Sequence, residues 1–171
     1  MNDIVGNFRE KTDKLFHKLE GYSPREIEEI VREEIQKILT ENGITVNIMD
    51  VIISGSRCRG LEQPHSDLDI ILFYSGKIRE DVLFDILHED RIWIGDVEVD
   101  INPISEGKTG TLTEYLPGVE AYLEKKRKRL QKKISVRDTI EEKKRLIVEE
   151  KKNETAISLD FVKSNTGCNI L

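Results

Sequence analysis

The chain has 171 residues, 37% of them hydrophobic and 35% charged, with a formal net charge of -6. This composition is ordinary for one globular domain with its own core. It contains neither the roughly 20 consecutive apolar residues of a membrane span nor the apolar segment of a signal peptide, so a cytoplasmic protein without membrane contact is expected. The acidic balance counts against a surface devoted to nucleic acid, because binding phosphates requires concentrated Lys and Arg.

A long helix is predicted from Ser23, after an N-terminal helical segment over residues 1–22. Ser23 is a suitable N-cap, Pro24 suits the first helical position, and Glu26 can complete a capping box. Apolar residues then recur at steps of three and four, and Gly43 follows as a C-terminal cap. The apolar stripe, predicted to face a sheet, consists of Ile27, Ile30, Val31, Ile35, Ile38 and Leu39.

Two strands and a helix are predicted in the middle of the chain. Residues 46–54 (VNIMDVIIS) and 69–74 (DIILFY) are rich in β-branched residues and bounded by turn residues, as buried strands are. Residues 80–89 have the periodicity of a helix.

An antiparallel hairpin is predicted around Gly95 and Asp96, where two alternating runs meet. Its second arm places Glu98 and Asp100 on one face. Asp100 has apolar neighbours in the middle of the arm, whereas Glu98 is closer to the turn and is expected to lie nearer solvent. Trp93, in the first arm, is predicted to be a core residue.

The last third of the chain has a helical pattern. Pro117 suits the first turn of one helix better than a helix interior, and residues 136–152 predict a second, charged helix. From Lys151 onward the pattern is weak, and a partly ordered tail is expected. The run Lys125 to Lys133 holds seven Lys or Arg in nine positions; it is interpreted either as a solvated helix face or as a surface that attracts nucleotide or an RNA acceptor.

The stretch 55–74 (GSRCRGLEQPHSDLDIILFY) combines two features that indicate phosphate chemistry. Gly55 follows a predicted strand and allows the backbone to approach an anionic group, and Ser56 adds a hydroxyl and an amide. Asp67 and Asp69 lie at a strand start, where the alternation of side chains directs both carboxylates to one face. These carboxylates repel each other, and Mg²⁺ or Mn²⁺ bound together with nucleotide phosphates would relieve the repulsion.

A third carboxylate is expected from the second arm of the hairpin. If this arm neighbours the strand of Asp69, Asp100 completes a cluster able to hold metal ions for nucleotidyl transfer. Glu98 shares the same face, so it remains a candidate for this position, although Asp100 is preferred.

Gly55-Ser56, ten intervening residues and Asp67-Leu68-Asp69 resemble the signature of minimal nucleotidyltransferases in the DNA polymerase beta superfamily. Arg59, Gly60 and Ser66 match this family as well. The resemblance spans about residues 46–103.

The resemblance assigns roles to individual residues. It implies that Gly55 and Ser56 hold the triphosphate, with Arg59 and Ser66 as further nucleotide-binding positions. Three aspartates are implied to bind the metals and to catalyse transfer, with Asp100 near the attacking hydroxyl; they are Asp67, Asp69 and Asp100.

The expected fold class is α/β or α+β, a small mixed sheet flanked by helices in the polymerase beta-like arrangement. The nucleotidyltransferase domain is expected over residues 23–133, with a C-terminal helix and tail over residues 134–171. The implied reaction is Mg²⁺- or Mn²⁺-dependent transfer of a nucleoside monophosphate to a hydroxyl acceptor. The preferred donor is ATP, from which AMP is transferred. That acceptor is a partner protein, an aminoglycoside-like small molecule or an RNA end, and the acidic composition favours the partner protein.

The alternative is a module of this fold that binds nucleotide or a partner protein without turnover. Arg57, like Arg59, either forms ion pairs with surface acids or contacts phosphate held at the Gly55-Ser56 turn. His65 is interpreted as a loop residue, and His17 and His88 have no assigned role. The two cysteines, Cys58 and Cys168, lie far apart and lack zinc-ligand spacing, so free thiols are expected.

Overall fold

The computed structural model describes residues 3–166 and combines helices with one mixed sheet. Contacts divide the chain into two units, Met1–Arg127 and Lys128–Leu171. The helices are α1 (Ile4–Leu15), α2 (Pro24–Glu41), α3 (Glu80–Glu89) and α4 (Leu112–Thr166). A short 3-10 helix, Arg57–Arg59, follows the first strand.

Helix α2 begins where the sequence predicts. Ser23 is its N-cap and Pro24 its first residue. The backbone N–H of Ser23 donates to Glu26 Oε2 over 2.8 Å, and the N–H of Glu26 donates to Ser23 Oγ over 3.4 Å, which is a complete capping box. Five residues of the predicted stripe are buried, and α2 packs against the first strand of the sheet: Ile27, Val31, Ile35, Ile38 and Leu39.

The sheet has four strands in the order β1-β2-β4-β3. Strand β2 pairs with β1 in antiparallel and with β4 in parallel orientation, and β4 pairs with β3 in antiparallel orientation. The strand bounds are β1 Asn47–Ile53, β2 Leu68–Ser75, β3 Ile92–Ile94 and β4 Val97–Ser105. The predicted class, a mixed sheet flanked by helices, is confirmed at this level.

The predicted hairpin is confirmed, with β3 and β4 joined through Gly95, whose φ is +57°. Trp93 is not a core residue, because 51% of it is exposed. Ile92 and Ile94 on either side of it are buried, so the alternation of a strand turns Trp93 to the opposite face.

Helix α4 corrects the expectation that Pro117 lies in the first turn of a helix. It begins at Leu112, so Pro117 lies inside the helix instead of in its first turn. The earlier start has a local cause: the N–H of Thr111 donates to Glu114 Oε2 over 2.8 Å, and the N–H of Glu114 donates to Thr111 Oγ1 over 3.4 Å. This reciprocal cap outweighs the hydrogen bond that Pro117 cannot donate.

Residues 128–166 of the second unit are helical throughout, so the expected partly ordered tail is wrong up to Thr166. Every side chain from residue 131 to 164 is exposed. Ion pairs one helical turn apart stabilise this helix locally; in one of them Arg137 Nε lies 3.4 Å from Glu141 Oε1. Cys168 lies outside the described residues.

No helix within residues 3–166 combines the length and apolar character needed to cross a membrane.

Candidate active site

Two carboxylates are brought together by the parallel pairing of β2 and β4. Asp69 is the register partner of Asp100, and partners on adjacent strands lie about 4.8 Å apart with their side chains on one face. Both aspartates line the same cavity. The strand neighbourhood on which the sequence prediction depended is therefore present for Asp69 and Asp100.

Gly55 lies directly against the carboxylate of Asp69. Its φ is +63°, and a Cβ built there would lie 1.8 Å from Asp69 Oδ2 and 2.5 Å from its Cγ. The N–H of Ser54 donates to the carbonyl oxygen of Asp69 over 2.8 Å. Only glycine, which has no Cβ, allows this contact. The turn at Gly55 and the carboxylate of Asp69 therefore depend on each other for their positions.

Asp67 lies at the end of the loop before β2 and is exposed; unlike Asp69 and Asp100, it is not among the cavity-lining residues. Burial raises the pKa of the Asp69 carboxyl, and the carboxylates of Asp100 and Asp67 raise it further, while Lys126 acts in the opposite direction. All three aspartates thus influence the same site electrostatically, and one cation of the basic run, Lys126, lies close enough to offset part of their charge.

The Gly55 turn is supported from behind by the 3-10 helix. The thiol of buried Cys58 donates to the carbonyl oxygen of Gly55 over 3.1 Å, and burial raises the pKa of this thiol to about 12. Cys58 is free, as expected. Ser56 is buried and starts the 3-10 helix without a side-chain capping bond; it follows Gly55 in the chain but is not itself among the cavity-lining residues.

Ser66 and Arg57 hold the loop that ends at Asp67. The guanidinium of Arg57 donates twice to the carbonyl oxygen of Ser66, over 3.0 and 2.7 Å. The hydroxyl of Ser66 accepts from the N–H of Gln63 over 2.9 Å. Ser66 was predicted to bind nucleotide, but the structure places its side chain in a turn and not among the cavity-lining residues.

Arg59 does not face the cavity either. Its side chain is 6% exposed, lies over the ring of Phe8, and donates to Glu120 Oε2 and Thr12 Oγ1, each over 2.8 Å. The guanidinium therefore connects α1, the 3-10 helix and α4. This arrangement gives the guanidinium partners within the protein, and nucleotide binding by Arg59 stays a prediction.

Replacing Arg59 with Met is expected to destabilise the protein by about 1.5–3 kcal/mol, the range for hydrogen bonds to charged groups. Triphosphate affinity should be unchanged, because the guanidinium does not line the cavity. Urea denaturation and calorimetric titration with a non-hydrolysable triphosphate test the two parts. Weaker triphosphate binding with unchanged stability would restore Arg59 as a nucleotide ligand.

The cavity beside the carboxylates has a volume of about 580 Å³. Strands β2 and β4 form its floor with Asp69 and Asp100, and the first turns of α4 form a wall that includes Tyr115 and Tyr122. Asn102 donates to the hydroxyl of Tyr115 over 3.1 Å. A concave space with an acidic floor and an aromatic wall can hold a flat polar molecule.

Asp100 has a partner that the sequence did not indicate, because His88 Nε2 lies 2.8 Å from Asp100 Oδ1. Glu98 instead lies 3.4 Å from Arg91 and does not line the cavity. The expectation that Glu98 lies nearer solvent is wrong: its side chain is 29% exposed and that of Asp100 is 48% exposed. The two acids differ in their strand partners and not in their burial as expected, because Asp100 is paired with Asp69 and Glu98 with Trp93.

The carboxylates of the site are oxygen ligands of the kind that a divalent metal ion such as Mg²⁺ binds. Within residues 3–166, no group of three His, Cys, Asp or Glu side chains could by itself hold a metal ion. Mg²⁺ needs no such cage, since one or two carboxylates usually hold it while waters and substrate phosphates complete its coordination. Asp69 and Asp100, with Asp67 in electrostatic range, supply hard oxygen donors of this kind.

The functional interpretation of this site rests on its residues. Comparison of the chain with protein-family models, curated proteins and solved structures found no match. The Gly55 turn and the aspartates of β2 and β4 are the features from which a function is proposed.

Proposed function

We propose that this protein transfers a nucleoside monophosphate from a nucleoside triphosphate to a hydroxyl acceptor and releases pyrophosphate. The observation that carries the proposal is the parallel register of Asp69 and Asp100 beside the Gly55 turn, at the floor of one cavity. ATP is the proposed donor, and the polymerase beta-like fold is the proposed finer assignment of the mixed sheet.

Each residue of the site has a separate role in the proposed reaction. The backbone at Gly55 and the hydroxyl of Ser56 are proposed to hold phosphate oxygens, because a turn without a Cβ allows close approach. Asp67 and Asp69 would hold the divalent metal ion, Mg²⁺ or Mn²⁺, with Asp100 as the third carboxylate beside it. When bound, this ion supplies charge neutralisation on the phosphates and a lower pKa for the acceptor hydroxyl.

The proposed transfer forms one bond to the α-phosphorus and breaks another. The acceptor oxygen forms a bond to the α-phosphorus, and the bond from that phosphorus to the β-phosphate oxygen breaks, so that pyrophosphate leaves. Asp100 takes the proton of the acceptor hydroxyl. Its register position next to Asp69 supports this role, because a general base must lie within hydrogen-bond reach of the proton that it removes.

Three classes of acceptor are consistent with this chemistry: a hydroxyl side chain of a partner protein, a small molecule of the aminoglycoside type, and an RNA end. The net charge of -6 favours a protein partner over RNA, since RNA binding depends on concentrated positive charge. A partner protein is therefore the proposed acceptor.

The direct test uses each of the four ribonucleoside triphosphates labelled at the α-phosphate, with Mg²⁺ or Mn²⁺ and a fractionated cell lysate. The proposal expects label on protein, with the strongest signal from ATP and none with an Asp69→Asn variant. Label on RNA or on small molecules would replace the proposed acceptor. Triphosphate binding without label transfer or pyrophosphate release in any fraction would contradict catalysis and favour a binding module.

Asp100→Asn and Glu98→Gln are expected to behave differently. Asp100→Asn should keep triphosphate binding through Asp67 and Asp69 but lose turnover by at least about a hundredfold, within the range for a missing general base. Glu98→Gln should stay close to the wild type, because Glu98 pairs with Arg91 outside the cavity. Single-turnover rates measure both; the opposite ranking would make Glu98 the third carboxylate.

A further inference from the structure

His88 connects helix α3 to the floor of the cavity. It lies in the last turn of α3, which packs against β4. Its Nδ1 is 2.7 Å from the carbonyl oxygen of Phe84, one turn earlier, and its ring stacks on that of Phe84 with centroids 3.9 Å apart. Its Nε2 is 2.8 Å from Asp100 Oδ1.

The imidazole is fixed on both sides. Phe84 supplies a carbonyl oxygen and a ring face, while Asp100 supplies a carboxylate oxygen. A carboxylate ion only accepts hydrogen bonds, so Nε2–H of His88 donates to Asp100 Oδ1. In the neutral tautomer that carries this proton, Nδ1 has none, and the Phe84 carbonyl oxygen is then a close contact instead of a second hydrogen-bond acceptor. The side chain of His88 is 27% exposed, and its position is set by the helix and not by a mobile loop.

This contact has a consequence for the orientation of Asp100. Its side chain is 48% exposed and would otherwise rotate among several orientations, since short acids at a strand surface have little to hold them. A hydrogen bond at Oδ1 fixes the plane of the carboxylate. The other oxygen, Oδ2, is then left for the cavity that Asp100 lines.

We propose that His88 is a positioning residue that orients Asp100 toward the acceptor hydroxyl; this inference rests on the nucleotidyl transfer proposed above. His88 does not touch the reacting atoms. It acts through Asp100, as residues behind a ligand or a catalytic base commonly do, and such partners typically contribute 10–100-fold to activity or metal affinity.

Two amide variants separate the hydrogen bond from the rest of the side chain. In His88→Gln the amide nitrogen reaches about as far as Nε2 and can still donate to Asp100. In His88→Asn it reaches only about as far as Nδ1, toward Phe84. Both variants lose the ring stacking on Phe84 equally, so a difference between them reports the contact with Asp100.

The first readout is kinetic. His88→Asn is expected to lower kcat by about 10–100-fold with the KM for the triphosphate unchanged, and His88→Gln is expected to recover most of kcat. Thermal unfolding of both variants checks that the fold is kept. Equal kcat values for the wild type and His88→Asn, or an equal loss in both variants, would overturn the positioning role.

The second readout requires neither metal nor turnover. In protein labelled with ¹³C at the aspartate carboxyl carbons, the Asp100 signal is assigned by its absence in Asp100→Asn. This signal should shift in His88→Asn and shift less in His88→Gln. An unchanged Asp100 signal in His88→Asn would overturn the inference even if the wild type proved inactive, whereas inactivity of the wild type with the expected shifts would count only against the proposed function.

Discussion

Replacing Asp69 with Asn is expected to abolish nucleotidyl transfer. The loss should exceed the 10–100-fold that is typical for residues behind a metal ligand. The same substitution should make the metal-free protein more stable. Burial and the carboxylates of Asp100 and Asp67 all raise the pKa of Asp69. Without a metal ion, the ionised carboxylate therefore opposes folding, and an uncharged amide of the same shape removes this cost.

The stability gain depends on pH in a defined direction. The folded-state pKa of Asp69 is above its ordinary value of 3.8, so folding favours the protonated form. The favourable contribution of Asp69 is fully present below that ordinary value and is lost as the pH rises through the raised folded-state pKa. Asp69→Asn should therefore gain most at neutral pH, and its gain should shrink as the pH falls toward 3.8.

Urea denaturation across this pH range, in the presence of a chelator, measures the gain. Asp96→Asn is the matched control, because Asp96 is exposed in the turn between β3 and β4 and should change neither stability nor transfer. Asp67→Asn should also abolish transfer, with little effect on stability because Asp67 is exposed. Near-normal transfer by either active-site variant with saturating Mg²⁺ would refute the two-aspartate metal site.

Gly55→Ala is expected to be the most damaging small substitution in the turn. Its Cβ would lie 1.8 Å from Asp69 Oδ2 and 2.7 Å from Asp69 Cβ, so Asp69 must move away from its position beside Asp100. In addition, alanine at φ +63° adds backbone strain of about 1–3 kcal/mol. Both triphosphate binding and transfer should be lost, and the free energy of unfolding should fall by more than the strain alone.

Gly43 provides a matched control for the strain. Its φ is +64°, and a Cβ there would meet nothing within 4 Å, so Gly43→Ala isolates the backbone cost of about 1–3 kcal/mol. A double variant, Gly55→Ala with Asp69→Ala, should recover part of the stability because the contact partner is removed. If Gly55→Ala and Gly43→Ala cost the same and the double variant recovers nothing, the contact with Asp69 is not what excludes a side chain at position 55.

Local patterns predicted the elements that depend on local interactions. The Ser23–Glu26 cap and the apolar stripe predicted α2, and alternation around Gly95 predicted the hairpin. Pro117 predicts a later start of α4 than the structure shows, because the Thr111–Glu114 cap, which is equally local, begins the helix at Leu112. That signal was in the sequence and was missed.

Contacts between distant segments were beyond the reach of periodicity. The pairing of Asp69 with Asp100 was only a condition in the sequence interpretation, because no pattern states which strands are neighbours. The contact of His88 with Asp100 depends on where α3 crosses β4. Likewise, Arg59 lies between α1 and α4, although its motif position had suggested a phosphate.

The most direct measurement compares ATP labelled at the α-phosphate with ATP labelled at the γ-phosphate, using wild-type protein, Asp69→Asn, Mg²⁺ and the acceptor fraction. Nucleotidyl transfer predicts that α-label moves to the acceptor while γ-label appears in pyrophosphate, and that Asp69→Asn does neither. Transfer of γ-label to the acceptor, or transfer of α-label by Asp69→Asn at the wild-type rate, would contradict an active site built on Asp69, Asp100 and the Gly55 turn.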